Sequence, residues 1–210
     1  IENYIEHDPT ELLESPKIGR RLPQTLSLDE IEKIIGAIDL SQPEGQRNKA
    51  IVETLYSCGL RVSELIQLRI SNLYFNNGFI RIIGKGNKER LTPVSNKAIK
   101  EINLYLEDRK KLPIDKNCED ILFLNRRGKQ LTRVMVFLII KKLAEKADIS
   151  KNISPHTFRH SFASHLIEGG ADLRAIQEML GHESITTTET YTHLDRDYLR
   201  QTIIEHNPRS

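Results

Sequence analysis

Residues 154–194 read SPHTFRHSFASHLIEGGADLRAIQEMLGHESITTTETYTHL, and the spacing of breaks and apolar positions within them decides the architecture. Ser154 is a favourable N-cap and Pro155 a favourable first helical residue, so a helix is predicted to start there. It is predicted to stop at Gly169-Gly170. His156, Arg159 and His160 are separated by helical spacings and are predicted to project together, with Phe158 and Phe162 anchoring the other side in a core. A second short helix is predicted from Asp172, with Leu173, Ile176 and Leu180 as its apolar stripe and Gly181 as its stop. That leaves His182 on a turn just past a helix end. Ser184 is suited to cap a third short segment that carries Tyr191.

Upstream, Ser27-Leu-Asp-Glu30 is a capping box that predicts a helix to about Asp39. Pro43 to Cys58 is a second helix, ended by Gly59. Arg61 to Leu65 begins a short one that sets Arg61 and Glu64 one turn apart. Phe79–Ile83 is β-prone and Arg90–Val94 a second short strand, with Pro93 marking an edge. Gly84-Lys-Gly-Asn-Lys88 between them is a hairpin turn. Ser95 caps a helix to about Lys110, Asp120–Leu124 is a buried strand candidate, and Thr132 caps a helix to about Ala147. Asp195–Glu205 is a helical tail carrying Tyr198, Leu199, Ile203 and Ile204. Residues 1–22 read as tail and linker, and the initial Ile suggests a processed or truncated piece. The expectation is an α+β domain, mainly helical, with a small antiparallel β-sheet.

Composition bounds less. The 210 residues carry a formal charge of only +2, which does not by itself point to nucleic acid. The basic residues do cluster, Lys85 with Lys88 and Arg90, and Arg126, Arg127 and Lys129 with Arg133. No apolar run is long enough to span a membrane, and a cytoplasmic protein is expected, with Cys58 and Cys118 reduced.

The chemistry-bearing residues suit one reaction, attack of a tyrosine on a phosphodiester. A phenol has a pKa near ~10, so Tyr191 needs a base or a cationic pocket to act as a nucleophile. Arg159, His156 and His182 can supply that pocket if the chain folds them close. Two guanidinium forks, Arg61 and Arg159, can hold the non-bridging oxygens of one phosphate and stabilise charge as it builds. Glu64 can orient Arg61; as an exposed pair it would contribute little. Lys85, on a mobile hairpin tip, can protonate a leaving oxygen. A nucleotide-binding loop at residues 78–86 is rejected, because the glycine spacing is wrong and Gly86 stands where a Ser or Thr should bind magnesium. His156 and His160 are a weak zinc pair, since no Glu follows the first. His165 and His193 read as structural or surface groups.

These residues carry a resemblance. Gly59-Leu-Arg61-Val-Ser-Glu64, Gly84-Lys85-Gly-Asn-Lys-Glu-Arg90, His156-x-x-Arg159, Leu180-Gly-His182 and Thr187-Thr-Glu-Thr-Tyr191-Thr-His193 are similar to the motifs of tyrosine recombinase catalytic domains, the Xer type above all. The likeness runs from about Pro16 to His206, and His182 stands where some relatives have Trp. It implies site-specific DNA recombination through a 3′-phosphotyrosyl intermediate, with no cofactor, metal or ATP. Tyr191 would be the nucleophile, Arg61, Arg159 and His182 the transition-state stabilisers, Lys85 the general acid and His156 a proton-transfer group. Lys88, Arg90, Arg133 and His160 would contact DNA. Residues 1–22 would be the end of an N-terminal clamping domain with its linker, 23–194 the catalytic domain, and 195–210 a tail exchanged between subunits or packed on its own domain. The partners implied are a double-stranded recombination site, a tetramer of this chain or with a paralogous recombinase, and an activating protein. A phage or transposon integrase of the same chemistry and a catalytically silent DNA-binding module are the other readings.

Overall fold

The computed structural model describes residues 24–181 and 193–209, with the backbone alone at Lys85 and 193–197. The tail before Thr25, His182, Ser184 and Tyr191 therefore lie outside the described residues, apart from the last of the tail at Gln24. Helix α1, Leu28–Gly36, starts where the capping box predicts: Glu30 N donates to Ser27 Oγ and Ser27 N to Glu30 Oε2. Helix α2, Gly45–Cys58, ends at Gly59 in the left-handed region, φ 57°. The short α3, Val62–Ile66, follows, then strands β1 (Leu73–Tyr74), β2 (Phe79–Ile83) and β3 (Glu89–Pro93). Helices α4 (Asn96–Arg109) and α5 (Arg133–Lys146) are capped by Ser95 and Thr132. Helices α6 (Pro155–Glu168) and α7 (Leu173–Leu180) come next, and α8 (His193–His206) closes the chain. Among the described residues no helix is long and apolar enough to cross a membrane.

The sheet is antiparallel in the order β1-β2-β3, with Phe79 opposite Pro93 and Ile83 opposite Glu89. Pro93 thus lies on an edge strand, where its missing N–H costs little. Helix α2 is the hub of the fold, buried almost all round against α1, α3, α4 and α6. Its buried polar groups are satisfied: Arg47 donates to Leu124 O, Thr54 to Ala50 O, and Ser57 Oγ accepts from Ser95 N. A first apolar core surrounds α2, from Leu26 and Ile31 through Leu55 and Phe123 to Phe158. A second joins β2, α6, α7 and α8 through Phe79, Phe162, Leu166, Ile176, Met179, Leu199 and Ile203.

Three expectations need correction. Asp120–Leu124 forms no strand; isolated bridges join Arg69 to Ile121 and Leu124 to Gln130. Leu122, Phe123 and Leu124 are buried as expected and Ile121 is half-buried, but the amides go to irregular partners, Leu122 N to Leu68 O and Leu124 N to Tyr105 Oη. Leu173 is 59% exposed, and the buried face of α7 is Ala175, Ile176, Met179 and Leu180. At 3.6 residues per turn Leu173 sits about 90° from the middle of that face. Helix α1 also stops at Gly36, short of Asp39.

The C-terminal helix packs on its own chain. Leu199 and Ile203 are buried in the second core, while Tyr198 and Ile204 face outward. His206 Nδ1 donates to Gly169 O at 2.6 Å. Beyond the helix Arg209 reaches back to Glu53 on α2, with Nη2 2.5 Å from Oε1, and pairs with Glu32 on α1.

Candidate active site

Three arginines from distant parts of the chain meet at one helix end. Arg61 is the N-cap residue of α3, delivered by the tight turn Gly59-Leu60 that leaves α2. Glu64, one turn on, accepts the Arg61 backbone N–H on Oε2 at 2.9 Å and the Arg61 guanidinium on Oε1 at 3.0 Å. The Glu64 side chain is 3% exposed and that of Arg61 40% exposed, so the carboxylate anchors the arginine from inside and leaves its outer edge to solvent.

Glu64 is shared. Arg90 on β3 forks onto it, Nη1 to Oε1 and Nη2 to Oε2, both at 2.9 Å. Burial by itself would raise the Glu64 carboxyl, but the hydrogen bonds and charge of Arg90, with Arg61, more than offset it and hold it below the usual carboxylate range. Arg159 projects from α6 into the interior. Its Nη1 donates to Gly59 O and its Nη2 to Leu180 O, each at 2.6 Å. Burial, and the nearby positive charge of Arg61, lower the Arg159 guanidinium to about 10, which leaves it charged at neutral pH.

The last carbonyls of α7 are the common target. Met179 O accepts from Arg90 Nε at 2.9 Å, Leu180 O from Arg159, and Gly181 O from Arg61 Nη2 at the outer limit of 3.5 Å. A helix C-terminus presents unpaired carbonyls and the negative end of its dipole, so guanidinium groups cap it favourably. Gly181 takes the left-handed conformation, φ 65°, that ends α7. These carbonyls are the part of the site that a search for side-chain motifs misses, because no residue type announces them.

Of the predicted site residues, the fold therefore brings Arg61, Glu64 and Arg159 together. His156 and His160 stand exposed on α6, whereas Arg159 is buried, so the three do not share one accessible face. The face they span is about 100° wide and straddles the boundary between core and solvent. Phe158 and Phe162 are fully buried as expected. Arg90 is the clearest correction: it is 7% exposed and engaged with Glu64 and Met179 O, so it is not a DNA-facing residue. Its Nε, Nη1 and Nη2 each donate to a protein acceptor, the Glu64 carboxylate or the end of α7. Lys88 and Arg133 are exposed, available to a polyanion. The Lys85 backbone lies on the turn between β2 and β3, closed by Gly84 N to Lys88 O at 2.8 Å. His165 is structural, with Nδ1 2.8 Å from Tyr56 Oη.

A sequence profile of the phage integrase family matches residues 24–197. The chain is 44% identical over 209 residues to tyrosine recombinase XerD of Staphylococcus aureus, covering 100% of this chain and 71% of that protein. Among solved structures, the XerA recombinase superposes with a TM-score of 0.71 at 36% identity, over 90% of this chain and 67% of that one. The XerH site-specific recombinase, in a pre-cleavage complex with its difH substrate, matches with a TM-score of 0.69 at 30% identity, over 78% of this chain and 48% of that one.

Proposed function

The chain belongs to the phage integrase family and is a tyrosine recombinase, an enzyme of site-specific DNA cleavage and rejoining, and we propose that Tyr191 is its nucleophile and Arg61, Arg159 and His182 its phosphate-binding groups. The observation that carries this reading is the convergence of Arg61 and Arg159, far apart in sequence, on the adjacent carbonyls Gly181 O and Leu180 O directly before His182. Two guanidinium groups fixed side by side match the demand of a phosphoryl transition state, in which negative charge builds on the non-bridging oxygens. They are held by protein acceptors before DNA arrives, so little reorganisation is needed at the moment of reaction. Arg61, partly exposed and only loosely held on its Nη2 side, is the one open to an incoming phosphate.

In this reading Tyr191 Oη attacks the scissile phosphorus while its proton passes to a base, for which His156 is the candidate. The bond from phosphorus to the 5′-oxygen breaks, and Lys85 donates a proton to that oxygen. The products are a 3′-phosphotyrosyl link and a free 5′-hydroxyl. Attack by a 5′-hydroxyl of a partner strand reverses each transfer and releases Tyr191, so the energy of the broken bond is retained without ATP. Lys88, Arg133 and His160 contribute DNA contacts. Likeness to XerD supports a role in chromosome dimer resolution on a double-stranded recombination site. The assembly proposed is a tetramer of this chain or with a paralogous recombinase, with an activating partner.

The test is covalent capture. Full-length protein and a Tyr191→Phe variant are incubated without divalent metal with nicked duplexes carrying chromosomal recombination sites, and denaturation-resistant complexes are mapped to a peptide. A complex that forms on wild type and disappears in Tyr191→Phe supports the assignment. A complex that survives in Tyr191→Phe, or maps to another tyrosine, overturns it.

A further inference from the structure

We propose that Arg90 is a positioning residue for strand cleavage, fixing through one buried guanidinium the three segments that present Arg61, Lys85 and His182. The proposal rests on the reading of those residues given above, and deepens it.

Arg90 lies where three segments meet. Its Nη1 and Nη2 grip both oxygens of Glu64, and Glu64 in turn holds both the backbone and the guanidinium of Arg61. A carboxylate gripped by a bidentate fork has its plane fixed, so the oxygen offered to Arg61 is fixed too. On the second side, Arg90 Nε holds Met179 O at the end of α7. A Cβ added at Gly181 would stand 3.1 Å from Arg90 Cδ and Nη1, so the guanidinium packs directly on the glycine that precedes His182. On the third side, a Cβ added at Gly84 would stand 3.9 Å from Arg90 Nη1 and from Glu64 Oε1, and Gly84 precedes Lys85. Glu64 is hydrogen-bonded to Arg61, and Gly181 and Gly84 adjoin His182 and Lys85 in sequence, so Arg90 sits beside the segments that carry three groups assigned to the reaction.

Arg90 is buried, with both Nη groups on the Glu64 carboxylate and Nε on Met179 O, so its charge is matched inside the protein and it is assigned no DNA phosphate. Without it, the buried Glu64 keeps Arg61 as its one strong partner, and nothing holds the carboxylate plane against the turn before His182. Lysine is not an equivalent here, because a single ammonium cannot grip two carboxylate oxygens and a carbonyl in fixed directions.

The experiment uses full-length protein on a nicked duplex with which the wild-type chain forms its Tyr191-linked complex. Single-turnover rates at saturating DNA, duplex Kd with its salt dependence, and Tm are measured for Arg90→Met, Arg90→Lys and a core control, Ile140→Val. Misplacement of reacting groups by about 1 Å costs about 100-fold in rate, so Arg90→Met is expected to slow covalent complex formation by about 10- to 100-fold. Kd is expected to stay within about twofold, because no phosphate contact is lost. Arg90→Lys should recover part of the rate, and Ile140→Val should lower Tm without slowing the reaction. If Arg90→Met does not fold, Arg90→Lys decides, with a slower rate at unchanged Kd as the supporting result. A wild-type rate at saturating DNA overturns the proposal, whether it comes with weaker binding and a shallower salt slope, which marks a DNA contact, or with a lower Tm alone, which marks a purely structural role. A wild-type link that maps to a residue other than Tyr191 is a different failure: it overturns the nucleophile assignment, and this proposal with it.

Discussion

Replacing Glu64 by alanine tests the arginine network through stability. The carboxylate accepts four hydrogen bonds, two from Arg90, one from the Arg61 guanidinium and one from the Arg61 amide. The Arg61 ion pair has a partner 40% exposed, so its charge term is screened and contributes less than about 1 kcal/mol. The Arg90 pair differs, with side chains 8% and 3% exposed. Removing one member of a buried pair strands the other charge, at a cost of about 3–5 kcal/mol. That is a large share of a typical domain stability of about 5–15 kcal/mol. At about 2–4 °C per kcal/mol for a chain of this size, Tm should fall by about 6–20 °C.

The assay is urea unfolding at pH 7, repeated down to pH 3. The Glu64 pKa is depressed in the folded state, so the unfolded state binds more protons as the solution is acidified. Its stabilising contribution is full above the unfolded value of 4.5 and is lost as pH falls through the folded value. The gap between wild type and Glu64→Ala should therefore narrow below about pH 4.5. The double variant Glu64→Ala/Arg90→Met should recover much of the lost stability, because it removes both charges. A Glu64→Ala protein within about 1 kcal/mol of wild type at pH 7, or a gap that stays constant into acid, would refute the reasoning.

Arg209→Ala should also destabilise, more at pH 8 than at pH 5. In the folded protein burial, with the nearby Glu101, already pushes the Glu53 carboxyl up to about 7; removing the facing Arg209 charge pushes it further, so the variant goes on losing stability as pH rises past about 7, where wild type has stopped; equal losses at both pH values, read from denaturant midpoints, would count against the Arg209–Glu53 pair. Gly181→Ala forces an L side chain to φ 65° and against Arg90, and should cost about 1–2 kcal/mol by calorimetry while slowing covalent complex formation.

Much of the fold was legible because helix boundaries are local events. Ser27, Ser95, Thr132 and Asp172 each accept from an amide two or three residues ahead, and Gly59 and Gly181 each turn the chain by their own freedom at positive φ. The hairpin between β2 and β3 is local in the same sense. Strand β1 was not legible, since its two residues become a strand only by pairing with Phe79 and Ile80. Asp120–Leu124 carried the composition of a strand and received no strand to pair with. Leu173 carried the composition of a core residue and fell on the wrong side of a short helix.

The site divides along the same line. Sequence alone determined the residue types that suit phosphoryl transfer, their motifs and the family likeness, because a nucleophile, a general acid and guanidinium groups are properties of single side chains. Tertiary structure alone decided how each arginine is held. Arg61, Arg90 and Arg159 are chemically identical, and only the fold makes one partly open and buries the other two. Arg90 meets Glu64 from 26 residues away and Met179 from 89, and Arg159 meets Gly59 from 100. Burial of a charge depends on what those distant segments place around it, and that is settled only when the α2 hub, the sheet and the end of α7 pack together.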